Sequence, residues 1–159
     1  MEKEKITYDK LINTSITKDD FMEIEKDFIR ILTENNMTYK SPIQWDRYCL
    51  NSFKLESTNE IIGFTLMEKR FPLNLSKFAI AKKYQGLGVG KVMLKLWEDY
   101  NNEIFNGLNV YNYMIHLECD NDTVGFYEKQ GYSKYGSFKR EENGEILERI
   151  FMNKQVFLK

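Results

Sequence analysis

Over residues 84–91 the chain reads YQGLGVGK, three glycines at every second position with a lysine directly behind the last. No other stretch restricts the fold as much. Residues 75–80 ahead of it read as a strand. Behind it Val89, Val92, Met93, Leu96, Trp97 and Tyr100 recur at three- and four-residue spacing, the mark of an amphipathic helix that starts at the glycines. The glycines therefore turn a strand into a helix. At such a turn successive N–H groups, unobstructed by side chains, point at a helix opening whose dipole favours an anion. Each charge–dipole contribution is roughly 0.3 to 1 kcal/mol at exposed sites, so several N–H groups must act together, as they do on a diphosphate. A plain glycine-rich connection is the bland alternative.

Two common owners of such loops are excluded by spacing. A P-loop reads GxxxxGK followed by Ser or Thr, but Gln85 stands where its first glycine belongs and Val92 where the magnesium-binding hydroxyl belongs. A dinucleotide fingerprint reads GxGxxG, whereas this loop is GxGxG, and no acidic residue closes a second strand about twenty positions on.

A chain of 159 residues is the size of one ordinary domain, so residues 1–159 are expected to form one. Lys and Arg number 23 against 24 Asp and Glu, leaving no overall field that would gather nucleic acid or an anionic membrane. The first ten residues hold no apolar signal region and no apolar run approaches the ~20 residues of a membrane helix, so a soluble, cytoplasmic protein is expected. Cys49 and Cys119 form no CxxC pair, and the single His116 leaves zinc without a plausible ligand set; neither a disulfide nor a metal is expected.

Elsewhere the pattern predicts a strand at 6–11, then a helix capped by Thr17 with Phe21, Ile24, Phe28, Ile31 and Leu32 on its apolar face. Ser41-Pro42 opens a second, shorter helix to about Leu50. Residues 53–56 and 61–69 read as a hairpin, 113–117 as a strand, 122–130 as a short helix ended by Gly131, and 132–138 with 146–151 as a closing hairpin around ENGE. This order implies an α/β (α+β) fold, a mixed central sheet of six or seven strands with helices on both faces.

Gln85, Gly88 and Gly90 reproduce the Q/R-x-x-G-x-G/A motif of the GNAT superfamily of N-acetyltransferases, and the stretch LEC followed by VGFYEKQGY resembles that family's later strand and helix. The resemblance covers most of the chain. It implies the GNAT fold, acetyl-coenzyme A as donor lying between two splayed parallel strands, and direct transfer of acetyl to a primary amine. By the same resemblance the amides of Gln85, Gly86, Leu87, Gly88, Val89, Gly90 and Lys91 take the coenzyme pyrophosphate, while Ile80 and Ala81 pair with the pantetheine arm. Lys82 and Lys83 are candidates for the outer phosphate, with a solvated charge pair as the alternative; Asp120, Thr123, Phe126 and Tyr127 complete the implied coenzyme site.

Acetyl transfer needs a neutral amine, stabilisation of an oxyanion and a proton for the departing thiolate. Tyr127 matches the family tyrosine that supplies the proton, although in a chain with 10 Tyr and 11 Phe a core role is open. Glu118 is the first candidate base and Glu68 the second; His116 shares a face with Glu118 by strand alternation and is a candidate relay or a packed ring.

Within the superfamily, IHLECDNDTVGFYEKQGY resembles glucosamine-6-phosphate N-acetyltransferases, Glu118 and Cys119 matching an acidic residue and a cysteine ahead of a V-x-F-Y helix. That resemblance implies amino-sugar metabolism and a homodimer. Where those enzymes carry an adjacent Glu-Asp pair on the fourth strand, this chain has Ser76 and Lys77, and Thr123 replaces an Asn. Charge alone makes Lys69, Arg70 and Lys77, with Glu68 and Glu118, candidates for the acceptor. A protein amino group, a small amine or polyamine, and a non-catalytic acetyl-coenzyme A sensor stay open as alternatives.

Overall fold

The computed structural model describes residues 5–39 and 42–158. Its strands are β1 (Leu11–Ile16), β2 (Tyr48–Leu55), β3 (Ile61–Glu68), β4 (Leu73–Ile80), β5 (Asn112–Asp120), β6 (Ser133–Glu142) and β7 (Glu145–Phe157). They form one sheet of order β1-β2-β3-β4-β5-β7-β6, antiparallel throughout except where β4 meets β5. The mixed seven-stranded sheet carries α1 (Lys18–Glu34) on one face and α2 (Val89–Gly107) with α3 (Val124–Lys129) on the other.

Each helix buries the stripe its spacing defines. Phe21, Phe28, Ile31 and Leu32 of α1 pack on Leu50, Phe64, Leu66 and Ala79. Met93, Leu94 and Trp97 of α2, with Tyr127 of α3, pack on Phe53, Ile62, Ile115, Leu117, Ile150 and Met152. Thr17 starts α1 by accepting the Asp20 N–H on its hydroxyl at 3.3 Å. Asn143 and Gly144, both at positive φ (52° and 79°), close the last hairpin in the way two-residue hairpin turns require. No helix among the described residues is long and apolar enough to cross a membrane.

Two expectations need correction. The segment read as a helix to Leu50 is irregular from Pro42, turns at residues 45–47, and runs as β2 from Tyr48; Ser41 lies outside the described residues. An isolated helix of that length is marginal, whereas Tyr48–Leu55 lies between two strands and satisfies backbone groups on both edges. The first strand is not 6–11 but Leu11–Ile16, preceded by a short 3₁₀ turn at Tyr8–Lys10. Its sequence, LINTSI, is polar enough to read as loop; the ladder to β2 and a 2.8 Å hydrogen bond from Asn51 Nδ2 to Asn13 Oδ1 hold it in place.

Gly63 in β3 lies directly under α2: a Cβ there would sit 2.5 Å from Met93 Sδ and 2.9 Å from the Ala79 carbonyl oxygen. Backbone on one side and a fully buried side chain on the other leave little room to yield. Gly63→Ala is expected to cost about 1 to 3 kcal/mol by overpacking, read as a lower urea midpoint at unchanged slope. An unchanged midpoint would show that α2 can lift off β3 at no cost.

The parallel ladder is short. Leu73 pairs with Ile115, Asn74 with His116 and Leu75 with Leu117, and there the pairing stops. Past that point β4 stays with β3 and β5 with β7, so the two strands part and leave facing edges. At the same place β4 carries an extra residue: Met67 faces Leu75 and Leu66 faces Lys77, with Ser76 bulged between.

Candidate active site

The glycine loop leaves the open end of this fork. Gly86 and Gly88 take φ of +81° and +79°, a conformation only glycine adopts freely, and nothing lies within 4 Å of where their side chains would be. Gly88 is the N-cap of α2, so the first-turn N–H groups have no partner within the helix and point out of its end. Gly90 serves packing instead, since a Cβ would stand 3.2 Å from Phe126 Cζ and 3.4 Å from Ile80 Cδ1. Gln85 is exposed but held in place: its Nε2 donates to Ile80 O (3.0 Å) and Asn35 Oδ1 (3.3 Å). Asn35 Nδ2 also donates to Ile80 O at 2.9 Å, and Glu34 accepts the Lys82 N–H at 3.0 Å. The end of α1 thus pins the loop to the end of β4, a role for Glu34 and Asn35 that spacing could not show.

Ala81 is a structural corner: its N–H donates to Ile62 O at 2.8 Å and its carbonyl accepts from Tyr84 N at 2.9 Å, so its N–H is already engaged. Ile80 contributes its side chain, against Gly90. Of the two loop lysines, Lys83 is taken by Glu60, while Lys82 is exposed. Leu87 is half-buried, Val89 buried and Lys91 exposed. Asp120 is bound by the Arg149 guanidinium, and the Thr123 hydroxyl donates to Asp120 O at 3.0 Å, so both shape the turn into α3.

Tyr127 is buried on the α2 and α3 side of the fork, its ring against Phe78 (6.4 Å), Phe126 (5.0 Å) and Tyr132 (5.7 Å). Burial, and secondarily Cys119, push its phenol well above the ordinary value. It is therefore protonated at neutral pH, as a proton donor must be. Among the described residues the buried side-chain polar atoms without a partner are Thr65 Oγ1 and the Tyr132 hydroxyl.

The opposite face carries a second recess. A cavity of about 370 Å³ is lined by residues of the 38–48 segment, among them Tyr39, Gln44 and Arg47, and by Leu66, Ser76 and Lys77. The bulge explains why two successive residues of β4 both reach it. None of the described residues that line it is acidic. Lys77 is half-buried, desolvation lowers its pKa, and it makes no ion pair among the described residues. Glu68 lies just outside, bound by Arg47 at 3.0 Å and near Arg70 at 3.9 Å; Lys69 and Arg70 are exposed on the β3–β4 loop and do not line the recess. Arg47 was hidden from sequence reasoning because its segment was read as helix.

Glu118 and His116 do share a face, beside the point where the strands part. Glu118 Oε1 accepts from Arg149 Nε at 2.8 Å, and Arg149 also reaches Asp120 and the Glu118 carbonyl. Among the described residues no group of three or more His, Cys, Asp or Glu could hold a metal ion.

A parallel strand pair that forks beside a glycine turn at a helix start, with the Tyr127 ring on one side, is the arrangement that the resemblance in the sequence implies for an acetyl-coenzyme A site. The match to known proteins agrees. Residues 33–153 fit the acetyltransferase (GNAT) domain, and the chain belongs to that family. It is an acyltransferase with acetyl-coenzyme A as co-substrate. Solved structures with this fold include the spermidine/spermine N-acetyltransferase SpeG from Vibrio cholerae (18% identity, TM-score 0.68, covering 93% of this chain and 94% of that one). Another is the ribosomal-protein-S18-alanine N-acetyltransferase from Escherichia coli (15%, 0.68, 94% and 96%). A third is the IAA acetyltransferase from Bacillus cereus (17%, 0.63, 92% and 99%). At these identities the likeness is one of fold.

Proposed function

We propose that residues 1–159 form one N-acetyltransferase domain whose acceptor is a small primary amine that also carries an anionic group, with glucosamine 6-phosphate the first compound to try. One observation carries this reading: among the described residues the recess beside the fork is lined by Lys77, which has no ion-pair partner, and by Arg47, whose partner Glu68 lies outside it, and by no carboxylate. A polyamine would be repelled there, since like charges in a partly desolvated site are costly. A phosphate or carboxylate would instead give Lys77 the counterion it lacks. In this reading the first-turn amides of α2 hold the coenzyme diphosphate, Tyr127 protonates the departing sulfur, and Ser76 and Lys77 orient the acceptor.

Thiol release from acetyl-coenzyme A should be fastest with glucosamine 6-phosphate among that compound, glucosamine, spermidine and peptides with free amino groups. Turnover of spermidine alone would overturn the anionic acceptor and keep the enzyme; turnover of none would favour the sensor. Lys77→Met is expected to raise KM for a phosphorylated acceptor about tenfold, as loss of a charged hydrogen bond does, and to leave KM for glucosamine within twofold. Equal effects on both would remove Lys77 from anion recognition.

A further inference from the structure

Three side chains on the acceptor face form a chain of hydrogen bonds at the last steps before β4 and β5 part. Asn74 and His116 are direct partners in the parallel ladder. The Asn74 amide oxygen lies 2.9 Å from His116 Nδ1, and the Asn74 amide nitrogen donates to Ser76 Oγ at 3.0 Å. With the Asn74 amide oriented this way its oxygen accepts from the ring, which assigns the ring hydrogen to Nδ1 and the lone pair to Nε2. Ser76, already receiving one hydrogen bond, keeps its own O–H to donate at the recess it lines.

The imidazole rests against Tyr135 and Phe151, 5.6 Å from each ring. The charged groups facing it are Arg70 from the β3–β4 loop and Glu118 on its own strand. Behind these, Glu68 of β3 is bound to Arg47 and Arg149 of β7 to Glu118. Burial, then Arg70, hold the imidazole below its ordinary pKa against the opposing pull of Glu118, so it is neutral at pH 7. Glu118 is a poor competitor as base, because its carboxylate is already committed to Arg149.

We propose that His116, with its hydrogen held on Nδ1 by Asn74, is the general base of the reaction: Nε2 takes a proton of the acceptor's ammonium group through one water. The ammonium N–H bond breaks, the water passes its proton to Nε2, and the imidazolium later returns it to solvent. The freed lone pair bonds to the acetyl carbon, the C–S bond breaks, and the sulfur takes the Tyr127 proton. The Tyr127 phenolate recovers a proton from the newly bonded nitrogen, so the books balance at one acetylated amine, one thiol and one released proton.

This rests on the acetyltransferase reading but not on the anionic acceptor; whichever amine is turned over serves for the kinetics. His116→Gln should lower kcat/KM about a hundredfold at pH 7. The deficit should close as pH approaches the acceptor amine's own pKa, where free amine needs no base. A deficit that does not change with pH would overturn the proposal. The second arm needs no acceptor, because His116 is the chain's only histidine and its two nitrogens can be read without assignment. In protein labelled with ¹⁵N-histidine, Nδ1 should resonate as the protonated nitrogen and Nε2 as the unprotonated one, a preference that Asn74→Ala should abolish. The reverse tautomer, or no effect of Asn74→Ala, would overturn it even if no acceptor were found.

Discussion

Replacing Tyr127 by Phe is expected to lower kcat by about 10² to 10⁴-fold while leaving acetyl-coenzyme A affinity within a few-fold. The basis is that the substitution removes one oxygen and keeps the ring, whose contacts with Phe78, Phe126 and Tyr132 fill the wall beside the fork. Packing is preserved and the proton is lost. A positioned acid contributes roughly that range, equivalent to about 3 to 5 kcal/mol of barrier. Burial raises the phenol's pKa, so the protonated form persists through neutral and mildly alkaline pH, and the wild-type rate should show no loss there from this group. Single-turnover rates and calorimetric titration with the coenzyme separate the two quantities. A kcat within threefold of wild type would remove Tyr127 as the acid; a large loss of coenzyme binding would make it a packing residue.

The second large effect is on stability. Trp97 is 1% exposed and sits at the centre of the core between α2 and the sheet. Trp97→Ala is expected to cost about 3 to 5 kcal/mol, because the cavity it leaves is walled by strands that cannot collapse into it. Set against a native stability of roughly 5 to 15 kcal/mol, that is about a fifth of the total or more. Denaturant unfolding followed by far-UV signal measures it. A loss below about 1 kcal/mol would mean that α2 shifts to fill the space. Such a shift would itself be visible as weakened coenzyme binding, since the helix that carries Trp97 also begins at the glycine loop.

The strand, glycine turn and helix are legible in the sequence and the recess on the other face is not, for a physical reason. Strand, glycine turn and helix follow one another between Leu73 and Gly107, so their spacing is a local property that periodicity reads directly. The recess is assembled from Thr38, Tyr39, residues 42–48, β3 and β4, and depends on a correct register between strands. The place of Arg47 is not legible, because Pro42 after Ser41 resembles a helix start and the competing pull of two neighbouring strands is not written locally. The pairing of Asn74 with His116 joins residues 42 apart in sequence. His116 and Glu118 were placed on one face by alternation alone, but only the fold shows Arg149 arriving from β7 to occupy Glu118.

The extra residue in β4 has a consequence for how such a protein can change. Were Ser76 deleted, Leu75 would be followed by Lys77, and Lys77, Phe78, Ala79 and Ile80 would keep the faces they have now. One side chain would leave the acceptor recess and the core would feel no inversion. The bulge is thus a phase buffer in the strand. It lets the recess be rewritten by insertion or deletion, while the half of β4 that leads into the glycine loop stays in frame.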